Sequence, residues 1–70
     1  MIDNNLVSIV TPIHNSALFI SETIESVIAQ DYEFWEFILV DDCSSDDSVK
    51  IVKQYTQQDA RIRLIQLNKN

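Results

Sequence analysis

The chain has 70 residues, of which none is glycine and one, Cys43, is cysteine. The lack of glycine excludes the P-loop and the dinucleotide-binding fingerprint, and the single cysteine excludes both an internal disulfide and a zinc-binding cysteine cluster. The net charge is −6, with ten of the eleven acidic residues in 1–48 and all five basic residues in 49–70, which argues against nucleic-acid binding through phosphate contacts.

The first predicted element is a strand over residues 6–11, where β-branched residues dominate. Pro12 is expected to end this strand, because proline cannot donate to a sheet ladder and has a fixed φ. His14 follows in a loop, and Asn15 or Ser16 is a candidate N-cap for the next helix.

Apolar residues then recur at helical spacing, which predicts an amphipathic helix over about residues 17–30. These residues are Ile20, Ile24, Val27 and Ile28. A return loop follows, which Tyr32, Phe34 and Trp35 are expected to pack. An apolar run interrupted only by Glu36 then predicts a central strand over about residues 35–40, buried on both faces.

A second helix is expected to begin near Ser44, since Ser44 and Asp47 have the spacing of a capping box. It ends around residues 57–60, and a third strand follows over residues 62–67. The order β-α-β-α-β with short connections predicts an α/β fold with a parallel three-stranded sheet and right-handed crossovers. Both edges of so small a sheet would be unpaired, so we expect the chain to be part of a larger domain.

Two adjacent carboxylates, Asp41 and Asp42, follow the central strand at the edge where open α/β sheets bind ligands. Only one of them can point into a given crevice, because successive side chains alternate between faces. A carboxylate there could accept a hydrogen bond from a nucleobase imide N–H or a ribose hydroxyl. The alternative is that these residues only support the start of the next helix. For His14 and Cys43 the residue pattern alone favours purely structural roles.

Four segments of the chain together resemble the start of family 2 glycosyltransferases. They are VSIVTPIHN at 7–15, ETIESV at 22–27, QDY at 30–32 with WE at 35–36, and VDDCSSD at 40–46. Each segment is a weak match alone, but their order and spacing agree over nearly all of the chain. The resemblance implies a Rossmann-like GT-A fold, with residues 1–70 as the N-terminal, nucleotide-binding part of the catalytic domain.

The resemblance also implies roles for five residues in binding a nucleotide sugar. Pro12 and His14 would line the base pocket, and Asp42 would accept a hydrogen bond from the imide N–H of the base. Asp41 and Ser44 would support the turn between them.

Two positions depart from the usual family pattern. His14 stands where the family often has tyrosine, and a stacking or edge contact with the base would tolerate this change. Cys43 stands where glycine is usual, which implies a slightly altered turn.

For the whole protein, the resemblance implies transfer of a sugar with inversion, from a UDP-, GDP- or dTDP-sugar to a polysaccharide or glycoconjugate of the cell envelope. UDP-sugars are favoured as donors. The Asp-x-Asp motif that binds Mn²⁺ or Mg²⁺, and the catalytic base, are expected beyond residue 70. Residues 1–70 alone are therefore expected to bind no metal ion and to be inactive. The stretch contains no transmembrane segment, so the expected location is cytoplasmic, including a peripheral one at the inner face of the membrane.

A receiver-like signalling domain is the alternative interpretation, because such α/β domains also use an acidic pair to bind Mg²⁺. Receiver-like domains carry that pair after the first strand, whereas here the first strand ends in Thr11 and Pro12. A purely structural module is a third hypothesis, which the unpaired sheet edges disfavour.

Overall fold

The computed structural model describes residues 6–68, which form a three-stranded parallel sheet and two helices. The elements are β1 (Val7–Ile13), α1 (Ile20–Ile28), β2 (Trp35–Asp41), α2 (Ser48–Gln58) and β3 (Ile62–Gln66). The strand order is β1-β2-β3, and both neighbouring pairs are parallel. This confirms the predicted β-α-β-α-β architecture and makes β2 the central strand.

Both helices pack on one face of the sheet. Side chains along β2 alternate between buried and half-buried, and the buried ones share a core with β1, β3 and both helices: Ile13, Ile20, Ile24, Trp35, Phe37, Leu39, Val52 and Ile62. Two right-handed crossovers that step the same way across a sheet place their helices on the same side. The prediction that β2 is buried on both faces is therefore wrong within residues 6–68, because Glu36, Ile38 and Val40 lie half-buried on the opposite face.

β1 continues two residues beyond its predicted end, through Pro12 and Ile13. Val7 donates its N–H to the carbonyl of Phe34 at 2.9 Å, and Ile13 accepts from the N–H of Asp42 at 3.0 Å. Alternate residues therefore bond to β2, and the nitrogen of Pro12 faces the outer edge, where no N–H is needed. The prediction that Pro12 ends the strand is wrong because proline is tolerated at such a position.

Trp35 belongs to the core rather than to the return loop. It is 1% exposed, and the guanidinium carbon of Arg61 lies 3.8 Å from its ring centroid. Arg61 also pairs with Asp59 at 2.8 Å, and its hydrogen bonds hold the pKa of that carboxyl below the ordinary value. Tyr32 and Phe34 do remain in the loop, in an edge-to-face contact with ring centroids 5.8 Å apart.

The two helices begin later than predicted, at residues 20 and 48. Neither N-cap residue makes a side-chain hydrogen bond to its helix. The predicted N-cap at Asn15 or Ser16 and the predicted capping box at Ser44 are both wrong, because these residues make hydrogen bonds across the two loops instead.

Candidate functional site

The loops that follow β1 and β2 meet at the carboxyl edge of the sheet. Ile13 is paired with Asp41 in the parallel register, and the N–H of Asp42 donates to the carbonyl of Ile13 at 3.0 Å. The loop over residues 14–19 therefore lies directly beside the loop over residues 42–47, as expected for the ends of neighbouring strands.

The two adjacent aspartates lie in different environments. Asp41 is 2% exposed, and its two carboxylate oxygens accept hydrogen bonds from the Ser44 hydroxyl and, at 3.2 Å, from the Ser44 N–H. Asp42 is exposed, and no protein group within residues 6–68 donates to its carboxylate. Asp42 thus has acceptor oxygens available for a ligand, whereas those of Asp41 are occupied by its own turn.

His14 is exposed, and both of its ring nitrogens have protein partners. Nδ1 lies 2.7 Å from the carbonyl oxygen of Asp42, so Nδ1 must carry the hydrogen of that bond. Nε2 lies 3.3 Å from the side-chain nitrogen of Asn15. A ligand beside His14 would therefore meet the face of the ring, and the exposed ring of Pro12 lies two residues earlier on the same strand end.

Asn15 ties the first loop to the second. Its N–H donates to the Ser44 hydroxyl at 2.9 Å, and its side-chain oxygen accepts from the N–H groups of Ser45 at 2.8 Å and Asp46 at 3.3 Å. The backbone of Asn15 has a φ of 50°, a region that asparagine tolerates better than most residues. Sequence reasoning missed this role, although a chain without glycine must place some other residue at its left-handed turns.

Asp46 makes the second link between the loops. Its Oδ1 accepts from the Ser48 hydroxyl and from the Ser48 N–H at 2.9 Å, and its Oδ2 accepts from the Ala17 N–H at 3.1 Å. The Ser48 hydroxyl also accepts from the Ser16 N–H at 2.7 Å. Asp46 thus supports the start of α2, the role predicted for Ser44. We call the links made by Asn15, Asp46 and Ser48 the loop clasp.

The loop clasp predicts a loss of stability in acid. The hydrogen bond from the Ser48 hydroxyl, with further ones from backbone N–H groups, holds the pKa of Asp46 below its ordinary value of 3.8. A carboxyl whose pKa is lowered in the folded chain binds protons more readily in the unfolded chain. Its stabilising effect is therefore fully present above the unfolded-state pKa of about 3.8, and it is lost as the pH falls through the folded-state pKa. We expect the midpoint of urea unfolding to move to lower urea concentrations once the pH is below about 4.

The variant Asp46→Asn tests this assignment, because its amide oxygen accepts a hydrogen bond but does not titrate. Its urea midpoint should fall less steeply between pH 5 and pH 2 than that of the unchanged chain. Asp47→Asn is the matched control, since Asp47 is exposed in the same loop and makes no cap hydrogen bond to α2, and its urea midpoint should follow that of the unchanged chain. An identical pH dependence in the Asp46 variant and the unchanged chain would contradict the prediction.

The carboxyl edge of the sheet is acidic and open. Asp42, Asp46 and Asp47 are exposed there, and residues 1–48 contain no lysine or arginine. Among residues 6–68 no three side chains of His, Cys, Asp or Glu come together in a group that could hold a metal ion, and no enclosed cavity is present. The described helices also include none long and apolar enough to cross a membrane. This edge can accept hydrogen bonds from a base or sugar, but it repels phosphate.

Comparison with known proteins identifies the family. The sequence profile described as Glycosyl transferase family 2 matches residues 8–70, which is most of the chain. The chain belongs to glycosyl transferase family 2. This family assignment sets the receiver-like alternative aside, and the parallel α/β architecture of residues 6–68 matches the corresponding part of GT-A structures.

Relatives and solved structures of the family agree with this assignment. TuaG of Bacillus subtilis carries the name of a teichuronic acid biosynthesis glycosyltransferase. It is 43% identical over 65 residues, which is 93% of this chain and 26% of TuaG. WfgD of Escherichia coli, a UDP-Glc:alpha-D-GlcNAc-diphosphoundecaprenol beta-1,3-glucosyltransferase, is 41% identical over 63 residues, which is 90% of this chain and 24% of WfgD. The chain therefore spans about a quarter of the length of these relatives.

The crystal structure of S. aureus TarS has the same fold over this stretch. The alignment to the crystallised stretch 1–349 of TarS has a TM-score of 0.83 and 32% sequence identity, and it covers 94% of this chain and 20% of that stretch. TarS has also been solved in complex with UDP and with UDP-GlcNAc.

Proposed function

We propose that the two loops at the carboxyl edge bind the nucleoside of a nucleotide-sugar donor, with UDP-sugars favoured. The observation that carries the proposal is the exposed Asp42 carboxylate, which has no protein donor within residues 6–68 and lies beside the His14 ring, whose Nδ1 bonds to the Asp42 carbonyl. The UDP complexes of TarS support the preference for UDP.

The chemistry of Asp42 defines which bases fit. A carboxylate only accepts hydrogen bonds, so its partner on the base must be an N–H. Uracil and thymine carry an imide N–H and guanine a ring lactam N–H, whereas cytosine presents a bare ring nitrogen at the equivalent position. The site should therefore prefer UDP, dTDP and GDP over CDP, although all four carry the same diphosphate.

His14 and Pro12 supply apolar contact rather than hydrogen bonds in this proposal. Both ring nitrogens of His14 are engaged within the protein, so the ring face is the part available for stacking on a base. The pyrrolidine ring of Pro12 offers a second rigid surface. Asp41 and Ser44 act indirectly, since their mutual hydrogen bonds hold the turn from which Asp42 projects.

The diphosphate requires help from outside the described residues. The carboxyl edge is acidic, and residues 6–68 hold no group of side chains that could ligate a metal ion. We therefore propose that Mn²⁺ or Mg²⁺ binds at an Asp-x-Asp motif beyond residue 70, as expected from the family resemblance. The catalytic base is placed there too, and the seventy-residue chain is expected to show no sugar transfer.

For the whole protein we propose transfer of a sugar, with inversion, to a polysaccharide or glycoconjugate acceptor of the cell envelope. The names of two relatives support this class of acceptor. TuaG is named as an enzyme of teichuronic acid biosynthesis, and the name of WfgD specifies a diphosphoundecaprenol-linked acceptor. A nucleotide-sugar donor and a lipid-linked acceptor would bring the protein to the cytoplasmic face of the membrane.

A nucleotide titration tests the proposal on the seventy-residue chain. UDP, dTDP, GDP and CDP are each added to ¹⁵N-labelled protein, with and without Mn²⁺, and the backbone amides are followed. We expect millimolar affinity, about −4 kcal/mol, because the edge is open and acidic. The amides of residues 13–16 and 42–45 should shift with the first three nucleotides and much less with CDP.

Two outcomes would contradict the proposal. Equal shifts with CDP and UDP would mean that Asp42 does not recognise the imide N–H. A folded chain with no shifts in either loop for any of the nucleotides would mean that Asp42 does not bind a base.

A further inference from the structure

The orientation of the Asn15 side chain is determined by the second loop. Its oxygen accepts from the N–H groups of Ser45 and Asp46 and from the Ser45 hydroxyl, at 2.8, 3.3 and 3.3 Å. Backbone N–H groups can only donate, so the oxygen of the amide must face them. The NH₂ group of Asn15 is therefore turned away from the second loop and toward His14.

This orientation determines which nitrogen of His14 carries the proton. The Asn15 NH₂ group lies 3.3 Å from Nε2 of His14, and since NH₂ donates, a neutral ring must present a lone pair at Nε2. Nδ1 then carries the proton and donates to the Asp42 carbonyl at 2.7 Å. The hydrogen bonds at the two ring nitrogens thus require the same tautomer.

We propose that Asn15 is a positioning residue, which selects the Nδ1–H tautomer of His14 and through it holds the backbone of Asp42. Asp42 is fixed at two points: its N–H donates to the Ile13 carbonyl at 3.0 Å, and its carbonyl accepts from His14. The direction in which the side chain of Asp42 leaves the backbone is then fixed. The effect on ligand binding rests on the proposed nucleotide function, whereas the tautomer does not.

A simpler role for Asn15 would be to occupy a left-handed turn, given its φ of 50°. Two substitutions separate the roles. Asn15→Gly keeps access to positive φ at no steric cost but removes the amide. Asn15→Asp also tolerates the turn and keeps an oxygen for Ser45 and Asp46, but it places a carboxylate oxygen where the NH₂ group faced Nε2.

The test uses the ¹⁵N chemical shifts of the ring nitrogens of His14, which is the single histidine of the chain. In the unchanged chain at a pH where the ring is neutral, Nδ1 should show the shift of a protonated nitrogen and Nε2 that of a bare one. Asn15→Gly should move both shifts part of the way toward the average of interconverting tautomers, because only the bond to the Asp42 carbonyl then favours a proton on Nδ1. Asn15→Asp should put a proton on Nε2 while the Ser45 and Asp46 amide shifts stay close to their original positions.

Binding of UDP is measured in parallel. Asn15→Gly should weaken UDP binding about fivefold, the effect of one neutral hydrogen bond on an equilibrium. Asn68→Gly is the matched control, because it makes the same chemical change at another exposed position, and it should leave both the ring shifts and the affinity unchanged.

The proposal would be overturned by an Nε2–H tautomer in the unchanged chain, or by unchanged His14 shifts in both Asn15 variants. These readouts hold even if Asn15→Gly fails to fold, since the unchanged chain and Asn15→Asp are measured independently. Failure of the unchanged chain to bind UDP would contradict the proposed nucleotide function alone, because the tautomer is observed without ligand.

Discussion

Replacing Asp42 with alanine is expected to abolish measurable UDP binding while leaving the fold intact. The Asp42 side chain is exposed and accepts no hydrogen bond within residues 6–68, so the folded chain loses no contact. The bound base loses a charged acceptor, worth roughly 1.5–3 kcal/mol or about a tenfold to hundredfold change in affinity. Starting from millimolar binding, that change exceeds what an amide-shift titration can detect.

The control for Asp42→Ala must account for charge. UDP is an anion and the chain has a net charge of −6, so removing any nearby carboxylate should by itself strengthen binding. Asp47→Ala removes the same charge from the other end of the same loop, where Asp47 is exposed and makes no cap hydrogen bond. It should bind UDP as tightly as the unchanged chain or slightly more tightly. If Asp42→Ala behaved in the same way, the assignment of Asp42 to the base would be wrong.

The order of elements and the packed side of α1 could be predicted from the sequence because they follow from local periodicity. Ile20 and Ile24 recur at helical spacing and are buried, and short β-α-β connections leave few possible topologies. The apolar run of β2 was a weaker guide. It does not tell one covered face from two, and within residues 6–68 the helices cover only the side of Phe37 and Leu39.

The errors at the ends of elements have a common physical cause. Whether Pro12 ends a strand depends on whether its nitrogen faces β2 or the outer edge of the sheet. This direction is set by the pairing of β1 with β2, which is part of the tertiary structure. Whether Ser44 caps a helix depends on competing partners. Its hydroxyl donates to Asp41 and accepts from Asn15, and these contacts come from outside the segment that the capping pattern considers.

The candidate site was predictable in part. Two carboxylates after a buried strand indicate the binding edge of the sheet, but only the structure distinguishes the buried Asp41 from the exposed Asp42. The role of Asn15 was missed because it depends on the backbone N–H groups of Ser45 and Asp46, thirty residues away. Contacts to backbone groups leave no pattern in a single sequence.

Replacing Trp35 with alanine is expected to remove a large part of the stability of the fold. Trp35 is 1% exposed within the core, and truncating a buried aromatic residue costs about 3–5 kcal/mol. The contact with Arg61, at 3.8 Å from the ring centroid, would add roughly 0.5–1 kcal/mol. A 70-residue domain has a total stability of roughly 3.5–10 kcal/mol, so the loss is a large part of the whole. Urea unfolding followed by far-UV circular dichroism measures it.

The variant Trp35→Phe shows which property of the side chain matters. Phenylalanine keeps an aromatic face for Arg61 and most of the buried apolar volume, but it lacks the indole N–H. In Trp35 this group is buried and has no hydrogen-bond partner among residues 6–68. A buried unpaired donor is unfavourable by about 1–3 kcal/mol, and its removal should offset much of the lost packing. We expect Trp35→Phe to stay folded, with stability within about 1.5 kcal/mol of the unchanged chain. Equal destabilisation by alanine and phenylalanine would instead mean that the indole N–H is bonded in solution, and that its polar contact rather than its volume anchors the amino end of β2.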